Sequence, residues 1–251
     1  MYRFITVFIM YLAISINVFA NETAQAPKRI IWPFDGIFGS VDREAAQRGY
    51  QIYKEVCSAC HEMAHLSYRN LRDIGITDAE IKVIASGYIV TDGPNPQGEM
   101  FERPALPSDK FINPFPNEQA ARAVNNGAFP VDLSLIIKAR EDGPNYVYSL
   151  LNGYVTPPSG FKLLDGLHYN IYFPGEQIAM PQPLQDGAVQ YRDGTVATLD
   201  QMARDVVVFL QWAAEPEMEH RKSMGLRAMI YITIFTILFY IVKRRIWARL
   251  K

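Results

Sequence analysis

Cysteine is nearly absent from this chain. Two in 251 residues, Cys57 and Cys60, exclude a multi-disulfide scaffold and a four-cysteine metal site. Histidine is almost as scarce: His61 follows the cysteine pair, while His65, His168 and His220 form no second pair at ligand spacing. Acids are missing from one whole region, since all 26 lie between Glu22 and Glu219 and eight basic residues follow from Arg221 to Lys251. Low-complexity tracts and internal repeats are missing too. The tetrapeptide DGPN occurs at 92–95 and 142–145, but its flanks do not match, so it reads as one turn-forming unit used twice. What remains is a chain of ordinary globular composition, 49% hydrophobic and 20% charged.

The net charge of −1 conceals a segregation. Residues 21–220 hold all 26 acids against 16 Lys+Arg, a balance of −10. An acidic body with a basic tail argues against a nucleic-acid partner and for a cationic protein or a membrane. Residues 1–20, MYRFITVFIMYLAISINVFA, read as a signal peptide: Arg3 supplies the positive start, an apolar run follows, and Val18–Ala20 resembles a cleavage site. The alternative is an uncleaved N-terminal anchor. Residues 224–242, MGLRAMIYITIFTILFYIV, carry one charge, Arg227, and at 1.5 Å per residue span about 28 Å, the thickness of a bilayer core. The basic tail 243–251, KRRIWARLK, belongs in the cytoplasm by the positive-inside rule. The expected organisation is therefore a signal peptide (1–20), an exported domain (21–223), a transmembrane helix (224–242) and a cytoplasmic tail.

The exported domain reads as mainly α with long irregular loops. Ala45, Gly49, Ile52 and Val56 share one face of a helix expected over 41–60, after an N-cap at Asp42. A second helix is expected over 199–214, with Thr198 and Gln201 spaced as a capping box, an apolar stripe at Met202, Val206, Phe209 and Trp212, and Pro216 ending it. Shorter helices fit 78–86 and 117–126. Residues 87–116 and 142–183, dense in Pro, Gly, Asn and Tyr, read as ordered loops without regular elements. A body with so much irregular backbone calls for a bound cofactor to organise its core.

The pattern C-x-x-C-H at 57–61 is the attachment signature of a c-type haem. On a helix the two thiols lie about a turn apart on one side, each placed to form a thioether, with His61 as the proximal ligand. Zinc requires further ligands that are not paired here. A thioredoxin-like disulfide requires a preceding strand, and a plain structural disulfide leaves His61 idle. For a sixth ligand, Met63 is too close to His61, Met202 falls in the helix stripe and Met218 in a charged juxtamembrane stretch. Met100 and Met180 survive. Pro181 and Pro183 stiffen the backbone around Met180 and favour it.

The segments RGYQIYKEVCSACH, DGPNPQGEMFERP, NNGAFPVDLSLIIKAR, NYVYSLLNGYVTPP, YFPGEQIAMPQPL and VVVFLQWAAEPEMEHRKSMG together resemble the cytochrome c1 family, haem subunits of the cytochrome bc1 complex. The resemblance runs from about Arg43 to the C-terminus. It implies a c-type cytochrome domain with one C-terminal transmembrane helix, and one covalently attached haem c ligated by His61 and Met180. It places Arg140 beside a haem propionate, Tyr146 near the same edge, and Asn125 and Pro130 in the loop that shields the haem. Many relatives have a second proline where this chain has Val131, a departure expected to touch no ligand. The implied function is one-electron transfer from the Rieske iron–sulfur protein to a cytochrome c, within a quinol-oxidising complex that also contains cytochrome b. No general acid, base or nucleophile is needed on this chain, because the cofactor carries the chemistry. The short start implies a bacterial inner membrane, with the haem domain in the periplasm. Two other readings stand beside this one: a membrane-tethered monohaem shuttle serving a different enzyme, and a thiol–disulfide protein without haem.

Overall fold

Helix α1 (Arg43–Glu55) begins where Asp42 accepts the Ala45 N–H at 3.0 Å. The computed structural model that reveals this describes residues 24–249, so the signal-peptide reading of 1–20 lies outside it, as do the last two residues of the tail. The helix expected over 41–60 stops early. Val56 leaves helical geometry (φ −122°), and Cys57–Ala59 form a separate 3₁₀ turn.

Two short helices follow: α2 (Asp78–Ser86), held by a reciprocal Thr77–Glu80 capping box, and α3 (Glu118–Val124), capped by Asn117 at 2.8 Å. The intervening stretch 87–116 is not wholly irregular, because β1 (Ile89–Asp92) and β2 (Phe101–Pro104) pair antiparallel, Ile89 against Pro104 and Asp92 against Phe101. Likewise 142–183 contains helix α5 (Gly143–Leu151) and a two-residue pairing of β3 (His168–Tyr169) with β4 (Gln177–Ile178); α4 (Ile136–Ala139) precedes them. The two DGPN copies diverge physically. The first leads out of β1, whereas the second opens α5, where the missing Pro144 N–H costs nothing in the first turn.

Helix α6 (Leu199–Ala214) starts at Thr198, whose hydroxyl accepts the Gln201 N–H at 3.2 Å. The second half of the expected box is not made, since the Gln201 amide donates to Asp205 at 3.0 Å instead. Nor is α6 one-sided: Ala203, Val207, Val208 and Leu210 are buried along with Met202, Val206, Phe209 and Trp212. It packs on α1 across Gly49, where a Cβ would stand 2.1 Å from the Asp205 carbonyl oxygen and 2.6 Å from Phe209 Cβ. Asp205 is 1% exposed, yet its carboxylate is fully engaged. Arg48 donates to it through two nitrogens at 2.9 and 3.0 Å, and the Tyr191 hydroxyl at 2.9 Å.

After a break at Pro216 the last helix, α7, runs from Met218 to Ala248 without interruption. Helical structure thus extends past both ends of the expected 224–242 segment. The helix is long and apolar enough to cross a membrane, and its apolar window is bare of packing from the body. Its first turns belong to the body. Met218 is buried rather than juxtamembrane, with Gln211 Nε2 3.8 Å from its sulfur, and Glu219 accepts from the Val41 N–H at 2.8 Å and from Arg43 at 2.9 Å.

Candidate functional site

Cys57, Cys60 and His61 are gathered by one carbonyl. Cys57 O accepts the N–H groups of Cys60 (3.1 Å) and His61 (2.9 Å), closing a tight turn that carries both cysteines and the histidine. Cys57 is half-buried and Cys60 exposed, and neither is bonded to the other. Burial pushes the Cys57 thiol up to about 12, the opposite of what a redox-active thiol needs.

His61 Nδ1 lies 2.7 Å from the Val131 carbonyl. A carbonyl only accepts, so Nδ1 carries the hydrogen, and burial of the ring opposes a second proton. Nε2 is left with a free lone pair, the state a metal-binding imidazole requires. Val131 therefore does touch a candidate ligand, against the sequence expectation. Its contact is through the main-chain carbonyl, which valine and proline both carry. Further bonds fasten the two segments: Leu133 N–H to Glu62 O at 3.0 Å, Ala64 N–H to Asp132 at 3.3 Å, and His65 N–H to the Ser134 hydroxyl at 3.1 Å. Pro130 is half-buried at the head of this strap. His65 is a surface histidine.

Among the methionines weighed as ligands, Met63 and Met202 are fully buried in the core and Met100 is 60% exposed beside β2. Met180 is half-buried, two residues past β4. Its carbonyl accepts from the Tyr154 hydroxyl at 3.0 Å. Tyr154 in turn bridges to Asn170, which is wholly buried and donates to Leu150 O at 2.8 Å. A Cβ on Gly153 would meet the Asn170 amide oxygen at 2.5 Å, so the glycine permits this close approach. Sequence reasoning missed Tyr154 and Asn170. The signal available was the pair of polar residues flanking two glycine-containing turns, which does not by itself reveal a bridge.

Arg140 is exposed at the end of α4, and its guanidinium donates to the adjacent Ala139 O (3.2 Å), with no acidic partner among the described residues. Burial raises the Tyr146 hydroxyl, and the neighbouring Arg140 charge opposes that rise. The Tyr154 hydroxyl is raised chiefly by burial, with Tyr146 adding to it. Arg140, Tyr146, Tyr154 and the Met180 carbonyl thus form a sequence of neighbours. Asn125 caps α3 and donates to Ala121 O at 2.8 Å. It lines a shallow groove with Asn126, Gly166, His168, Ala179 and Pro181, which puts it beside the chain that carries Met180. A different cleft, lined by Tyr50, Tyr53, Ser58, Tyr68, Tyr88 and Phe111, contains none of the candidate residues.

Two thiols on one turn, an oriented imidazole and a methionine whose backbone is tethered suit an iron porphyrin attached through thioethers. They do not suit zinc, because no group of three or more His, Cys, Asp or Glu side chains is placed to hold a metal among the described residues.

Comparison with known proteins agrees with this chemistry. The model of the "Cytochrome C1 family" matches residues 32–250. The chain is 51% identical over 220 residues to "Cytochrome c1 1, heme protein, mitochondrial" of Arabidopsis thaliana, covering 88% of this chain and 72% of that protein. It is 43% identical over 258 residues to "Cytochrome c1" of Rhodospirillum rubrum, covering 96% of this chain and 95% of that one. It is 45% identical over 233 residues to the "Cytochrome b-c1 complex catalytic subunit, mitochondrial" of Candida albicans, covering 92% and 81%.

Proposed function

Because this chain belongs to the cytochrome c1 family, we propose that it is the electron-transferring haem subunit of a quinol–cytochrome c reductase, taking one electron from a Rieske iron–sulfur protein and passing it to a cytochrome c. The cofactor is a c-type haem, which supplies the one-electron redox chemistry when bound. Cys57 and Cys60 hold it through thioethers, and His61 Nε2 and the Met180 sulfur ligate its iron. The Val131 carbonyl fixes the imidazole tautomer, and Tyr154 holds the methionine backbone. Arg140 would offer its guanidinium to a propionate at the edge marked by Tyr146, and Asn125 and Pro130 would belong to the loop that shields the haem from water. The observation that carries this reading is the 2.7 Å His61–Val131 contact, which turns a C-x-x-C-H string into an oriented ligand.

Cytochrome b is the expected neighbour of α7, which we read as crossing a bacterial inner membrane with the haem body outside and residues 243–251 in the cytoplasm. Purification in mild detergent is expected to bring cytochrome b and the Rieske protein with this chain, and quinol to reduce its haem. Isolation alone, with a haem that quinol does not reduce through partners, would favour a tethered shuttle instead. An alkaline pyridine haemochrome spectrum of the two-thioether type is expected; no haem band would leave the thiol–disulfide reading.

A further inference from the structure

The segment from Trp32 to Ser40 is a small closed loop with an apolar tip turned outward. Asp35 N–H donates to Trp32 O at 3.0 Å, Ser40 N–H to Pro33 O at 3.1 Å, and the Asp35 carboxylate turns back to accept the Trp32 N–H at 2.8 Å. Trp32 and Phe34 stack inward, with ring centroids 5.5 Å apart and both side chains buried. Gly36 takes φ +70°, and Gly39 admits no side chain, since a Cβ would lie 2.1 Å from Asp35 O. The two residues between these glycines have nothing over them: Ile37 is 66% and Phe38 86% exposed. A rigid, internally bonded loop that holds out a bulky apolar pair is built for a contact, because a tip that served only as a turn needs neither residue.

The position of the loop identifies that contact. Lys222 of α7 donates its amino group to Phe34 O at 2.6 Å and Gly39 O at 3.1 Å, so the loop is clamped to the base of the long helix. Lys222 stands two residues, about 3 Å of helix, before Met224, where the bare apolar surface begins. Leu226, Met229 and Ile230 continue that surface at 39%, 62% and 52% exposed. The base of the loop is thus fixed at the level where a membrane-spanning α7 would enter its bilayer, with Arg227 as a flanking cation for lipid phosphates.

We propose that Ile37 and Phe38 form a second membrane contact, inserted at the headgroup–acyl boundary of the bilayer that α7 crosses, so that the body is held at two points and cannot swing freely about its anchor. The proposal rests on the reading of α7 as membrane-spanning. The occupant is lipid rather than protein because Lys222 clamps the loop at the point where the exposed apolar surface of α7 begins, and a uniformly apolar pair without a free polar group suits acyl chains.

The test uses the full haem-loaded chain in vesicles of phosphatidylcholine and phosphatidylglycerol. With both native cysteines in thioethers, Ile37→Cys, Phe38→Cys, Ser40→Cys and Phe235→Cys each offer one thiol for a nitroxide. Unchanged haem absorbance verifies that each variant is folded. Collision with oxygen, relative to a water-soluble nickel chelate, is expected to be several-fold higher at 37 and 38 than at the exposed Ser40, and highest at 235. If 235 follows lipid while 37 and 38 follow water, the loop contact is overturned and α7 stands. Labels at 37 and 38 that meet water in vesicles, but neither reagent once cytochrome b is present, overturn it in favour of a protein interface. A label at 235 that follows water overturns the membrane reading and the loop contact together.

Discussion

His61 and Met180 are held by unlike means. The imidazole is aimed by the main-chain carbonyl of Val131 at 2.7 Å, whereas the methionine is held through its own carbonyl by the Tyr154 hydroxyl at 3.0 Å. Substitution separates ligand from support. Met180→Leu is expected to leave the haem covalently attached and lower its potential by on the order of a tenth of the roughly 0.8 V range that axial ligands command. Potentiometric titration checks this, and an unchanged potential would place the sixth ligand elsewhere. Tyr154→Phe keeps the sulfur and removes only its brace. The far-red band of iron–methionine ligation is expected to persist in water and to vanish at a lower urea concentration, by the equivalent of about 1 kcal/mol.

At the scale of elements, the crossing of α1 and α6 sets where the cysteine turn emerges. Gly49 allows the two backbones to approach, so Gly49→Ala forces them apart or unwinds a turn. The gain in helix propensity, about 1 kcal/mol, is smaller than the overpacking penalty. A net loss of about 2 kcal/mol is expected, read as a lower Tm of the holoprotein in detergent. The start of α6 carries a pH dependence. The Arg204 guanidinium, with help from the Tyr148 hydroxyl and against partial burial, holds Asp200 below the usual carboxylate range. A depressed carboxylate contributes its full stability above the unfolded pKa of about 4 and loses it as pH falls through the lower folded value. Asp200→Asn is therefore expected to destabilise modestly at pH 7, because the pair is half-exposed, and to converge on wild type as pH falls below the folded-state value. Urea melts across that range decide it.

For the whole molecule the governing quantity is charge placement. A body at −10 beneath a basic tail attracts a cationic acceptor over distances that salt controls. Raising ionic strength from about 10 to 100 mM shortens the Debye length from about 30 to 10 Å. The second-order rate of electron transfer to a basic cytochrome c is expected to fall about tenfold or more over that range. Stopped-flow kinetics with a neutral acceptor supply the control, for which the rate should hardly move.

Much of this was legible in order along the chain. Apolar period and a cap at Thr198 predicted α6 to the residue, because local hydrogen bonds and side-chain period act within a few positions. The C-x-x-C-H string pointed to a haem attachment, and the flank of Pro181 and Pro183 favoured Met180 over Met100, since covalent attachment and ligand chemistry demand particular residue types at particular spacings. What depended on distant chain segments was not legible. The helix expected through Cys60 ended at Glu55, α5 and both hairpins lay hidden in stretches read as loops, and Met218 proved to be core. Tyr154, Asn170 and the Val131 carbonyl acquired their roles only when segments 20 to 70 residues apart closed on one another. The sequence by itself determined which atoms are able to bind a haem, because that is a property of side-chain chemistry. Tertiary structure alone decided which lone pair of His61 is free and what stands behind Met180, because hydrogen bonds between distant backbone groups have no signature in composition or period.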